Sequence, residues 1–96
     1  MAEHEKINTH LLSLIYSLSA TAMHQLGKVS NPVTSKTEKD LDQARLSIDI
    51  IEMLNEKTKG NLTPEEAKLI SSTLASLQLN YVYELEKDTK GEQRTN

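Results

Sequence analysis

The sequence contains no cysteine, no phenylalanine and no tryptophan. The first absence excludes disulfides, thiolate nucleophiles and cysteine-based zinc sites, and it fits a cytoplasmic protein. The other two leave Tyr16, Tyr81 and Tyr83 as the whole aromatic content. Any core must then be built from Leu, Ile, Val, Met and Ala. Such residues suit helix–helix packing but offer no rigid platform for stacking bases or sugars. Clustered positive charge is also missing. The net charge is −3 and the lysines are scattered, which argues against a nucleic-acid partner, since tracking phosphates needs a basic face. The three glycines, Gly27, Gly60 and Gly91, stand apart, so no phosphate-cradling loop exists.

At 96 residues the chain makes one domain at most. A domain of this size buries only about 60–65 % of its unfolded surface, and self-association is a common remedy.

What is present is organised around Ile7–Gly27, INTHLLSLIYSLSATAMHQLG, a stretch without Asp, Glu, Lys or Arg. A secretory leader would place basic residues before it, but in MAEHEK Glu3 and Glu5 offset Lys6. A membrane span needs about 20 predominantly apolar residues, and Asn8, His10, His24, Gln25 and several Ser and Thr interrupt this one. A buried helix of a non-membrane domain is the better reading, with residues 1–6 as a flexible polar end.

The spacing predicts a first helix over about 8–26, capped by Asn8 or Thr9 and closed by Gly27. At 100° per residue, Ile7, Leu11, Leu14, Ile15, Leu18, Ala22 and Leu26 anchor an apolar arc of about 200°. The opposite arc holds His10, Ser13, Ser17, Ala20, Thr21 and His24. It is small and polar but uncharged, a groove that would admit another helix closely. These six residues are the candidate oligomer or partner interface.

Gly27–Lys39 reads as a connector, with a turn signal at Asn31-Pro32. It is long enough to leave the second helix parallel or antiparallel to the first, or crossing to another subunit. That helix spans about 41–58, with Asp40 as N-cap and Gln43 three residues on. Leu41, Ala44, Ile48, Ile51 and Leu54 form one apolar ridge, and Leu46, Ile50 and Met53 a second. Lys57-Thr58-Lys59-Gly60 closes it, and Thr63-Pro64-Glu65-Glu66 opens the next as N-cap, N1 proline and N3 glutamate. Leu62, just before that cap, is placed to staple onto Ala67. The short link predicts an antiparallel hairpin. The third helix runs over about 64–86, with Ala67, Ile70, Leu74, Leu77, Tyr81 and Leu85 on one narrow face. Residues 87–96 read as a disordered polar tail.

The fold class is therefore all-α, a single three-helix domain over 7–86. Helix 3 fits a monomeric bundle, but helices 1 and 2 carry more apolar girth than two neighbours cover, which points to a homo-oligomer, most simply a dimer.

No constellation carries chemistry. His10 and His24 are about 21 Å apart along one helix, without carboxylates at ligand spacing. The acidic pairs fall at helix starts or on a solvated stripe. No serine has a nucleophile context. Neither a cofactor nor a catalytic residue is expected, and the chain does not read as an enzyme.

One string is specific: Leu26-Gly27, Asn31-Pro32-Val33-Thr34, Asp40-Leu41, Ala44-Arg45, Ile48-Asp49, Met53-Leu54, then Glu56-Lys57-Thr58-Lys59-Gly60-Asn61-Leu62-Thr63-Pro64-Glu65-Glu66 and Tyr81-Val82. Over about residues 7–83 the chain resembles a bacterial family known as domain of unknown function 1844 (DUF1844). Gln78 departs from it, since the family often carries Arg there. The resemblance implies a helical, cytoplasmic bacterial protein and brings no activity, ligand or site residue. The expected function is a non-catalytic protein-interaction or self-assembly module. The alternative is a small-molecule or metal sensor, or a weak enzyme, using the polar face of helix 1.

Overall fold

A computed structural model describes residues 6–30, 33–35 and 37–94. Three helices follow one another: α1 (Thr9–Gln25), α2 (Leu41–Lys57) and α3 (Pro64–Arg94), with no strand among the described residues.

Each helix starts where a short polar side chain can satisfy orphan amides. Asn8 is extended, and its Oδ1 accepts from the amides of His10 at 2.9 Å and Leu11 at 3.1 Å. Asp40 accepts from the Gln43 amide at 3.2 Å. Thr63 and Glu66 complete a reciprocal capping box: the Glu66 amide donates to Thr63 Oγ1 at 3.2 Å, and the Thr63 amide to Glu66 Oε1 at 2.9 Å. The staple expected beside it is not made as drawn. Leu62 packs against the core, but Ala67 is exposed.

α1 ends in a Schellman motif. The Lys28 amide donates to Met23 O at 2.9 Å and the Gly27 amide to His24 O at 3.0 Å, with Gly27 left-handed at φ +78°. α2 stops differently. Thr58 is its C-cap, and Gly60 lies one position later than C′, at φ +87°, in a turn closed from Asn61 N to Thr58 O at 2.9 Å.

The hydrogen bonds between elements set the topology. The Asp40 amide donates to Gln25 O at 2.8 Å, joining the start of α2 to the end of α1. The Asn8 amide donates to Glu66 Oε2 at 2.7 Å, joining the start of α1 to the start of α3. The bundle is therefore up–down–up: α2 is antiparallel to both neighbours and α1 runs parallel to α3. That settles the direction the connector left open.

The core is small and aliphatic. Ile15, Ala22 and Leu26 meet Ala44, Ile48 and Ile51, and Ile70, Leu74 and Leu77 complete it. Leu11, Leu18, Met23, Leu41, Leu54, Leu62, Leu69 and Tyr81 pack around it. Each full burial of a large member stabilises by roughly 1.5–3 kcal/mol.

Helix 3 departs twice from its expected pattern. Its inward line is Glu66, Ile70, Leu74, Leu77 and Glu84, while Ala67 and Leu85 are exposed. It also continues to Arg94, past the expected end near residue 86. Glu86 to Gln93 contains good helix formers and no proline, Thr89 Oγ1 donates back to Leu85 O at 3.0 Å, and Asp88 is drawn into an ion pair. The stretch read as a polar tail is thus helical through Arg94. Residues 1–5 of the expected polar start, and 95–96, lie outside the described residues.

Candidate functional site

The six residues singled out on α1 share one outer side of the bundle. His10, Ser13, Ser17, Ala20 and Thr21 are exposed and His24 is half-buried. Their exposure follows from the helical period, because Ile15, Ala22 and Leu26 turn the opposite side into the core.

The neighbours of α1 define what lies beside this face. Toward α3, Leu12, Tyr16, Ser19 and Met23 border grooves shared with Leu69, Thr73 and Ser76. Toward α2, the Ser47 hydroxyl donates to Gln25 Oε1 at 2.6 Å, and Thr21 and His24 share a cleft with Gln43. Leu46 and Ile50 follow Gln43 by three and seven residues, so they share its side of α2. Arg45, Ile48, Asp49 and Glu52 instead face α3. The outer surface of the α1–α2 pair therefore combines an uncharged groove with an apolar ridge. That ridge, Leu46, Ile50 and Met53, is 54, 37 and 45 % exposed, and Leu14 beside it is 44 % exposed.

The cleft at the α1–α2 corner has a volume of about 620 Å³ and is lined by Thr21, His24, Gln25, Glu38, Lys39, Asp40 and Gln43. It is polar and open. Two of the six α1 residues reach it; His10, Ser13, Ser17 and Ala20 do not. Among the described residues no group of three His, Asp or Glu side chains is placed to hold a metal ion, and no buried side-chain polar atom lacks a partner.

Two glutamates matter more than their sequence positions indicated. Glu66 caps α3 with one oxygen and holds the Asn8 amide with the other. Those backbone bonds, Thr63 first, hold its carboxyl below the usual range. Glu84 is 4 % exposed and receives Lys28 Nζ at 2.6 Å and Lys39 Nζ at 2.9 Å, with Lys87 Nζ at 3.7 Å. The Lys28 and Lys39 hydrogen bonds outweigh desolvation and lower its pKa to about 2. Lys39 also bonds Asp88 at 2.6 Å, which, with Glu84, raises the Lys39 pKa. The Lys28 ammonium lies 4.9 Å from the Tyr83 ring centre.

Lys28 and Lys39 come from the two ends of the connector, so Glu84 ties both ends to α3. The available signal was register: 77, 81 and 84 continue the buried 3–4 spacing of α3. What could not be read was that two lysines eleven residues apart would return to one carboxylate.

These features make a tied corner and an open face. A family model described as domain of unknown function (DUF1844) matches residues 8–84, nearly the whole bundle. No curated protein and no solved structure matches the chain.

Proposed function

We propose, on the premise that the chain belongs to the DUF1844 family, that it is a non-catalytic helical interaction module working through the outer face of α1 and α2. The observation that carries this is the ridge Leu46, Ile50 and Met53, left exposed beside a helix face that has no formal charge. Water gains nothing from such a surface, whereas burying it against another helical surface is worth about 25 cal/mol per Å² of apolar area. We take it to be a cytoplasmic bacterial protein that binds neither nucleic acid nor membrane. The acidic net charge favours the first exclusion. The second is in keeping with the absence, among the described residues, of a helix long and apolar enough to span a bilayer.

Light scattering of the wild type, Ser17→Glu and Ser72→Glu tests the reading. The wild type is expected above the 10.8 kDa monomer mass at micromolar concentration. Ser17→Glu should fall toward the monomer, and Ser72→Glu, exposed on α3, should behave as the wild type. A monomeric wild type, with no protein bound in its native host extract, overturns the proposal.

The polar cleft supports a second reading, a small-molecule sensor. Its volume lies within the usual range for ligand sites, and Lys39, His24 and Gln43 supply polar groups. A thermal-shift screen against small anions and polar metabolites that moves no melting temperature would remove it.

A further inference from the structure

The outer face of α1 carries an internal symmetry. About Ser17, residue pairs whose numbers sum to thirty-four match in kind: Ser13 with Thr21, and His10 with His24. Two copies of α1 crossing antiparallel with a two-fold axis at Ser17 would set small against small. Leu14 and Ala20 lie about 60° to either side of Ser17, so the two exposed Leu14 side chains would share the flank beside the α2 ridges and the two Ala20 the opposite flank.

Charge permits the same occupant on the α1 side of the face. Two copies of a chain of net charge −3 repel, and α2 carries Asp42, Asp49, Glu52 and Glu56 against Arg45 on its solvated stripe. The α1 face has no Asp, Glu, Lys or Arg, so a second copy can meet it without opposing like charges. The area is also adequate. A two-helix face the length of α1 measures about 26 Å by about 20 Å. Its footprint of about 500 Å² in projection approaches the low end of specific interfaces, about 600 Å² of accessible surface per partner.

We infer that the partner for this face is a second copy of the chain, docked antiparallel with Ser17 of each copy on the two-fold axis and the Leu46, Ile50 and Met53 ridges closing its flank. The inference rests on the interaction-module reading and adds the partner and the register.

A chain without cysteine allows a clean test, since each introduced thiol is the only one present. A disulfide needs Cα atoms about 4.4–6.8 Å apart, which closely packed helices offer only to residues directly opposed. Ser17→Cys alone should oxidise to a covalent dimer with unchanged helix content. Ser13→Cys alone should not, because two copies of residue 13 would lie about 12 Å apart along the helices. A mixture of Ser13→Cys and Thr21→Cys should cross-link between the two variants. Ser72→Cys serves as the collision control and should stay monomeric on a denaturing gel.

A wild type that is dimeric by light scattering, with Ser17→Cys cross-linking no faster than Ser72→Cys, overturns the register and leaves the module reading standing. A wild type that stays monomeric but captures a different protein overturns the second copy as occupant. A monomer that captures nothing overturns both.

Discussion

Ile15 and Ser17 are two residues apart on α1 and have opposite fates. Ile15 is closed into the core, and Ser17 stands in the open on the outer face. The contrast extends along the whole helix. Its inner side is large and aliphatic and is covered by α2 and α3. Its outer side is small, polar and uncharged, and continues onto the exposed ridge of α2. A helix that needed only to sit on the surface of a monomer would be stabilised by charged residues there. The lesson is that one helix can specify its own bundle with one side and leave the other, small and uncharged, in solvent.

The comparison is broken most severely from the inside. Ile15→Ala should cost about 2–5 kcal/mol in urea unfolding, because it removes a fully enclosed side chain from a nine-residue core. A loss below 1 kcal/mol would mean that the inner side is not the structural one. Next comes the tied corner. Glu84→Gln leaves Lys28 and Lys39 without their shared carboxylate and should cost about 1–3 kcal/mol at neutral pH. In the folded chain the Glu84 carboxyl is lowered from its ordinary 4.5 to about 2. Its contribution is therefore complete above about pH 4.5 and declines as pH falls toward 2. The difference between wild type and variant in thermal unfolding should shrink over that interval; a gap that holds at pH 2 would refute the clamp. The smallest effect belongs to the outer side. At dilutions where the chain is monomeric, Ser17→Glu should change folding stability by no more than about 0.5 kcal/mol. A large loss there would show that the outer face belongs to the fold.

Much of this arrangement was legible in the residues. Asn8, Gly27, Asp40, Thr63 and Glu66 mark helix ends by local chemistry that needs no tertiary partner, and the boundaries fall within a residue of expectation except at the end of α3. The surplus apolar girth of α1 and α2 was also readable, and the structure leaves it exposed as Leu14, Leu46, Ile50 and Met53. The end of α3 is not legible in the sequence, because a polar composition without an apolar stripe has the pattern of a tail. Here Asp88, Lys39 and Glu84 give that stretch an electrostatic anchor instead.

By itself, then, the sequence determined three capped helices, their inward ridges and a charge-free outer face on the first. These depend on side-chain chemistry and on a period of 3.6 residues, both local. Only the tertiary structure decided the up–down–up order, the use of Glu66 to join α1 to α3, and the return of Lys28 and Lys39 to Glu84. Those contacts join residues 45 to 58 positions apart. Nothing in the spacing of residues along a chain encodes which of its distant charges will meet once the helices have packed.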